Sequence, residues 1–272
     1  MKKVREILRE GLDPSLFAQT GSGKEIKTES VKHAVCPLCE DRGIILEGDI
    51  AKPCRCMQQK KVENRFRHAR MARSLMNSRF EHFHLDYYDS GSNPAHRLNA
   101  QKARSAALEF VEGCLEGEDT GLGLLFTGPV GSGKTFLAAC IANALIEKDF
   151  RVLFLVVPDL LDELRATFSN KGEHNEMDLL DTAREIPILV LDDLGAHNYT
   201  EWTRNRLYSI INYRLNEQLP TVITTNLSLE EMETYLGDRT TSRLLQMSRV
   251  FRLTCDQDIR LRKYQEREGL NK

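Results

Sequence analysis

The chain has 272 residues, 41% of them apolar, with a net charge of −2 and an isoelectric point near 6.4. That length holds one full-sized domain plus a small module, and the near-neutral balance excludes a protein drawn to nucleic acid or anionic membrane by its overall charge. No run approaches the ~20 apolar residues of a membrane span and no apolar signal core follows the charged amino terminus, so a cytoplasmic protein without membrane contact is expected.

Residues 1–34 read as a flexible segment, apolar only in the short pattern of Val4, Ile7, Leu8 and Leu12. Next come Cys36-Pro37-Leu38-Cys39, fourteen residues, and Cys54-Arg55-Cys56. Two close pairs of cysteines can place four thiolates around Zn²⁺, and residues 35–58 bury so little else that the metal would supply folding free energy of about 10 kcal/mol. Unligated thiols are the other reading, and His33 is an alternative fourth ligand. The remaining cysteines, Cys114, Cys140 and Cys255, are scattered and read as structural thiols.

Residues 59–94 are expected to form a basic helical linker. Lys60, Lys61, Arg65, Arg67, Arg70, Arg73 and Arg79 stand against the single acid Glu63, either as a solvated face or as a contact for nucleic acid or an acidic protein. Phe80, Phe83, Tyr87 and Tyr88 precede a turn cluster at 90–94, which puts the start of the main domain at residue 95.

From there the pattern alternates. A helix spans about 95–114. Short strand-like runs begin at Leu124, Val152, Ile188, Thr221 and Arg249, with helical spacing between them. The expected fold class is α/β: a five-stranded parallel sheet flanked by helices over 95–272. Ligands of such sheets bind at the carboxyl ends of the strands.

Two of those ends carry chemistry. Gly128-Pro129-Val130-Gly131-Ser132-Gly133-Lys134-Thr135 matches the phosphate loop G-x-x-x-x-G-K-[ST], between a strand and a helix. Its backbone N–H groups and the helix amino terminus suit phosphate, Lys134 the β- and γ-phosphates, and the Thr135 hydroxyl Mg²⁺. Ile188-Leu189-Val190-Leu191 runs straight into Asp192 and Asp193 on the same rim. Asp192 is expected to hold Mg²⁺ and Asp193 to polarise the attacking water. Asn226, ending the run from Thr221, can orient that water or be a turn residue; Arg243 can stabilise transition-state charge on a neighbouring subunit's nucleotide or be a solvated arginine.

The segments GPVGSGKT, ILVLDDLG, TVITTN and RTTSRLL, followed by Cys255-Asp256-Gln257-Asp258-Ile259-Arg260, resemble the AAA+ ATPases of bacterial replicative-helicase loaders, the DnaC/DnaI group, related to IstB-like transposition ATPases. The resemblance covers roughly residues 75–260, and the cysteine segment resembles the zinc-binding helicase-docking module of the DnaI branch more loosely. It implies sensor 1 at Asn226, an arginine finger at Arg243, the family's D-x-R at Asp258 and Arg260, ATP turnover, self-association, and as partners a hexameric replicative DNA helicase and single-stranded DNA. A transposition regulator that coats DNA, and a nucleotide-gated adaptor with little hydrolysis, are the rival expectations. Asp193 stands where many AAA+ proteins have glutamate, and no sensor 2 arginine is evident in a carboxyl-terminal lid.

Overall fold

A computed structural model describes residues 36–39, 43–47, 50–54, 68–89, 93–117, 122–169, 173–195 and 199–269. The flexible segment 1–34, His33, Cys56 and the cations from Lys60 to Arg67 lie outside the described residues. The chain divides into two units, Met1–Asn64 and Arg65–Lys272.

In the first unit, strands β1 (Ile44–Glu47) and β2 (Ile50–Pro53) pair antiparallel, Ile44 opposite Pro53 and Glu47 opposite Ile50. At the open end of this hairpin the Cys54 N–H donates to the Gly43 carbonyl at 2.8 Å, which brings the second cysteine segment back to the first.

The second unit is built on a five-stranded sheet in which every neighbouring pair is parallel. Its strands are β3 (Gly123–Thr127), β4 (Val152–Val156), β5 (Ile188–Leu194), β6 (Thr221–Thr225) and β7 (Ser248–Arg252), in the spatial order β4-β5-β6-β3-β7. The helices are α1 (Ala95–Glu116), α2 (Lys134–Glu147), α3 (Val157–Ser169), α4 (Glu173–Glu185), α5 (Glu201–Asn216), α6 (Leu229–Leu236), α7 (Asp238–Met247) and α8 (Ile259–Arg267).

Side chains alternate across a strand, so a sheet covered on both faces needs apolar residues at every position. Leu125, Leu153, Leu155, Leu189, Leu191 and Ile223 pack with α3, α4 and α5 through Leu160, Leu164, Leu180, Leu207 and Ile211. The alternate positions Leu124, Phe126, Phe154, Val190 and Val222 are equally buried, facing the layer of α1 and α2. This topology places β6 between β5, which carries the two acids, and β3, which delivers the phosphate loop.

The segment 68–89 departs from the expected helix. It makes three short 3-10 turns, Arg73–Leu75, Phe80–His82 and Leu85–Tyr88, and side chains bond to three carbonyls around the first of them. The Asn143 amide on α2 donates to Leu75 O and Ser78 O, both at 2.8 Å, and Arg79 donates to Met76 O and Ser78 O. Sequence composition starts the main domain at residue 95, whereas the larger unit begins at Arg65: Phe80, Phe83 and Tyr88 are buried, and the Phe154 N–H on edge strand β4 donates to Ala69 O at 2.8 Å. Arg70 pairs with Glu163 and Arg79 with Glu147, so two cations of the basic run serve to fasten this strap.

Candidate functional site

The phosphate loop leaves the carboxyl end of β3, and α2 begins at Lys134. Gly131 and Gly133 sit at φ +75° and +89°, a region that side chains resist. A Cβ on Gly131 would fall 2.0 Å from the Asp258 carboxyl carbon, and one on Gly133 would fall 2.5 Å from the Tyr88 hydroxyl. Both glycines are therefore required by what packs behind the loop as well as by its turn. The Lys134 ammonium donates to Gly128 O at 2.8 Å, Pro129 O at 2.7 Å and Ser132 Oγ at 3.3 Å. Burial pushes its pKa down to about 8, against the pull of Asp193 and Asp192.

The acids are held by β6. The Thr224 hydroxyl donates to Asp192 Oδ1 at 2.6 Å and accepts from the Asp193 N–H at 2.9 Å. Asn226 Nδ2 donates to Asp193 Oδ1 at 2.7 Å. These bonds fix Asp193 at φ +59°, a backbone conformation that costs roughly 1–3 kcal/mol outside glycine, where the β5–β6 register shifts between Leu191 and Leu194. Burial raises the Asp192 pKa, and hydrogen bonds from Thr224 and Thr135 oppose the rise. The Asp192 carboxylate thus meets the hydroxyl at the start of α2, which suits a shared oxygen-loving cation such as Mg²⁺.

Val130, Gly131, Gly133, Lys134, Thr135, Asp192, Asp193 and Asn226 all line one cavity of about 440 Å³. Gly128 and Pro129 contribute their carbonyls to Lys134, and Ser132 is buried with its carbonyl on Tyr88. The cavity is polar and charged on this side, while Phe83, His84 and Tyr87 of the strap form an aromatic wall. Its size and its two chemistries match a nucleotide, phosphates at the loop and a flat ring against the aromatics.

The model of the IstB-like ATP binding protein family matches residues 54–265. The chain belongs to that family. Among its relatives, the replicative helicase loader DnaI of Bacillus subtilis (strain 168) is 34% identical over 114 residues, 42% of this chain and 36% of the relative. The replicative helicase loader DnaC of Escherichia coli (strain K12) is 32% identical over 142 residues, 52% of this chain and 56% of the relative. This chain therefore matches about a third and just over half of the length of these two relatives. A crystal structure of the DnaC helicase loader superposes with a TM-score of 0.56 at 27% identity, covering 67% of this chain and all of that one.

Within this IstB-like core, Arg243 lies apart from the cavity. It sits on α7, its Nε donating to Asn212 Oδ1 at 2.7 Å and its guanidinium 4.7 Å from the centre of the Tyr208 ring. It lines a second cavity, of about 490 Å³, with Gly123, Pro220 and Met247, at the amino-terminal ends of the strands. The phosphate loop occupies the opposite rim.

Sequence reasoning gives three contributors no place at the first cavity. Thr224 belongs to a run that reads simply as strand. The aromatic strap reads as a boundary. Arg260 and Lys263 on α8 line the cavity, and Arg260 acts on the Lys134 charge. No sensor 2 arginine is evident from sequence, yet α8 brings this cation to the site. The D-x-R pattern was the available signal: Asp258 caps α8 through the Arg260 N–H at 2.7 Å, and the Ile259 N–H donates to Gly131 O.

In the first unit, Cys36, Cys39 and Cys54 are buried, and their sulfurs all lie within 4.8 Å of one another. Cys36 Sγ and Cys54 Sγ are 3.8 Å apart, close to the ~3.8 Å that a tetrahedron of zinc–sulfur bonds requires. The Gly43 N–H donates to Cys39 Sγ, and backbone N–H groups of Leu38 and Cys39 lower the Cys36 pKa to about 7. The shift favours the thiolate of Cys36, and the spacing of the three sulfurs fits a metal ion.

Proposed function

We propose that this chain is an ATP-hydrolysing loader of a hexameric replicative DNA helicase, acting in the cytoplasm. Its zinc-bound cysteine module docks on the helicase, and its AAA+ core self-associates and engages single-stranded DNA. The observation that carries the ATP reading is the junction made by β6: Thr224 and Asn226 hold both acids in the cavity that Lys134 and Thr135 line. The partner is argued from the names of the relatives and from a cysteine cluster ahead of the core, for which a DNA-coating protein has no evident need.

On this reading Lys134 transfers its ammonium from the loop carbonyls to the β- and γ-phosphates. Thr135 and Asp192 hold Mg²⁺, which offsets phosphate charge when bound. Asp193, oriented by Asn226, takes a proton from the water whose oxygen bonds to the γ-phosphorus, and ADP leaves. Arg243, on the far rim, serves the nucleotide of a neighbouring copy. Slow turnover, with ATP acting chiefly as a switch, is the second reading: it is favoured by an aspartate, shorter than glutamate, whose Oδ1 is already committed to Asn226.

The test is capture of the purified hexameric helicase by wild type and by Cys39→Ser, with metal content and ATP binding measured on both. Wild type should contain zinc and capture the helicase; Cys39→Ser should lose both and keep ATP binding. Full capture by a zinc-free, ATP-competent mutant would sink the docking role. No capture by wild type would transfer the reading to a transposition ATPase.

A further inference from the structure

Inside the phosphate loop, backbone N–H groups can face an anion only if the carbonyls of the same peptides face away. Two of those carbonyls are held from outside the loop and its helix. Gly131 O accepts from the Ile259 N–H at 3.0 Å, and Ser132 O accepts from the Tyr88 hydroxyl at 2.7 Å. Tyr88 is 2% exposed, its ring stacks on Phe83 with centroids 5.4 Å apart, and burial keeps its phenol protonated and so a donor.

The peptide that Tyr88 holds joins Ser132 to Gly133. A turn of that peptide through half a revolution would point the Ser132 carbonyl where phosphate oxygens belong. It would also withdraw the Gly133 N–H. The rotation is absorbed at the ψ of Ser132 and the φ of Gly133, and glycine tolerates both signs of φ. The residue that lets the strap approach so closely therefore also leaves the peptide free to rotate.

We infer that Tyr88 is a positioning residue for nucleotide binding: its hydroxyl locks the Ser132–Gly133 peptide with the N–H toward the phosphates. The inference rests on the ATP reading and extends it to a residue of the strap, some forty positions upstream of the loop. Tyr88 touches the loop and acts through it.

Tyr88→Phe keeps the ring and removes only the donor. Displacement of a fluorescent ADP analogue by ATP, and separately by pyrophosphate, reads the effect. Both probes should bind about fivefold to tenfold more weakly than to wild type, the loss expected for one buried hydrogen bond. Equal weakening of the two marks an action through the phosphate loop. Weakening of ATP with pyrophosphate unchanged would place Tyr88 on the base or sugar and overturn the lock, as would wild-type affinity for both. A second variant, carrying 4-aminophenylalanine at position 88, restores a donor; it should recover most of the affinity, and its failure to do so would also overturn the lock. If wild type binds neither probe, the ATP reading falls and this inference with it; if wild type binds both and Tyr88→Phe binds them equally well, only this inference falls.

Discussion

Lys134 and Arg214 are both buried cations held by main-chain carbonyls, at opposite rims of the same sheet, and they differ in what else can reach them. Lys134 bonds to Gly128 O and Pro129 O but faces a cavity with two carboxylates nearby. Arg214 on α5 borders the second cavity but is itself fully buried, donating to the carbonyls of Ala183, Arg184, Ile186, Pro187 and Pro220 and to Thr221 Oγ1. It closes the carboxyl end of α4 and ties together the segments that lead into β5 and β6. A lysine is a compact charge on a flexible stem and can change partners, whereas an arginine with all three nitrogens engaged in a fixed fork cannot. The same carbonyl cage thus makes a releasable cation at one rim and a permanent rivet at the other.

Breaking the rivet should have the largest effect. Arg214→Met leaves several interior carbonyls without donors and should cost about 3–5 kcal/mol of stability, read as a lower midpoint in denaturant unfolding. An unchanged midpoint would mean that the carbonyls find other donors and that the cage is incidental.

At the other rim, Lys134→Ala should leave the unfolding midpoint nearly unchanged and weaken ATP binding about a hundredfold, because a charge-assisted contact to phosphate is lost. Mixing this mutant with Arg243→Ala should recover part of the lost hydrolysis, since each supplies what the other lacks at a shared interface. No recovery in a mixture shown to co-assemble would count against Arg243 serving a neighbour.

The smallest effect sharpens the contrast through pH. Because burial brings the Lys134 pKa down to about 8, its ammonium is present below that pH and lost above it. ATP affinity should fall about tenfold between pH 7 and pH 9. Lys134→Arg, whose charge persists, should flatten the profile; an equal slope in both proteins would assign the titration to another group.

Lys134 was legible in the sequence and Arg214 was not, and the reason is physical. The phosphate loop and Ile188–Asp193 are local patterns whose chemistry follows from neighbours in the chain, so strand, loop, helix and acids could all be placed. Arg214 lies in a helix that reads as amphipathic, where an arginine normally faces solvent; its carbonyl partners come from α4 and from two loops. Tyr88 and Arg260 depend likewise on contacts across forty and more than a hundred positions. The basic run reads only as a charged face for the same reason, since the acids that pair with Arg70 and Arg79 lie on α3 and α2. The five strands, and the rim shared by the phosphate loop and the two acids, needed no such distant information beyond the alternation of apolar runs.

The Thr224 hydroxyl has a consequence for ion choice. It occupies one acceptor site on Asp192 Oδ1, so a cation bound through both oxygens would compete with that hydrogen bond, whereas one bound through a single oxygen would not. A small cation with strict octahedral habits needs no more than one oxygen from each carboxylate, whereas a larger one such as Ca²⁺ gains much of its affinity by taking both. On the proposed reading, in which Asp192 holds Mg²⁺, a threonine on the neighbouring strand would favour one-armed ligation by that carboxylate without touching the metal.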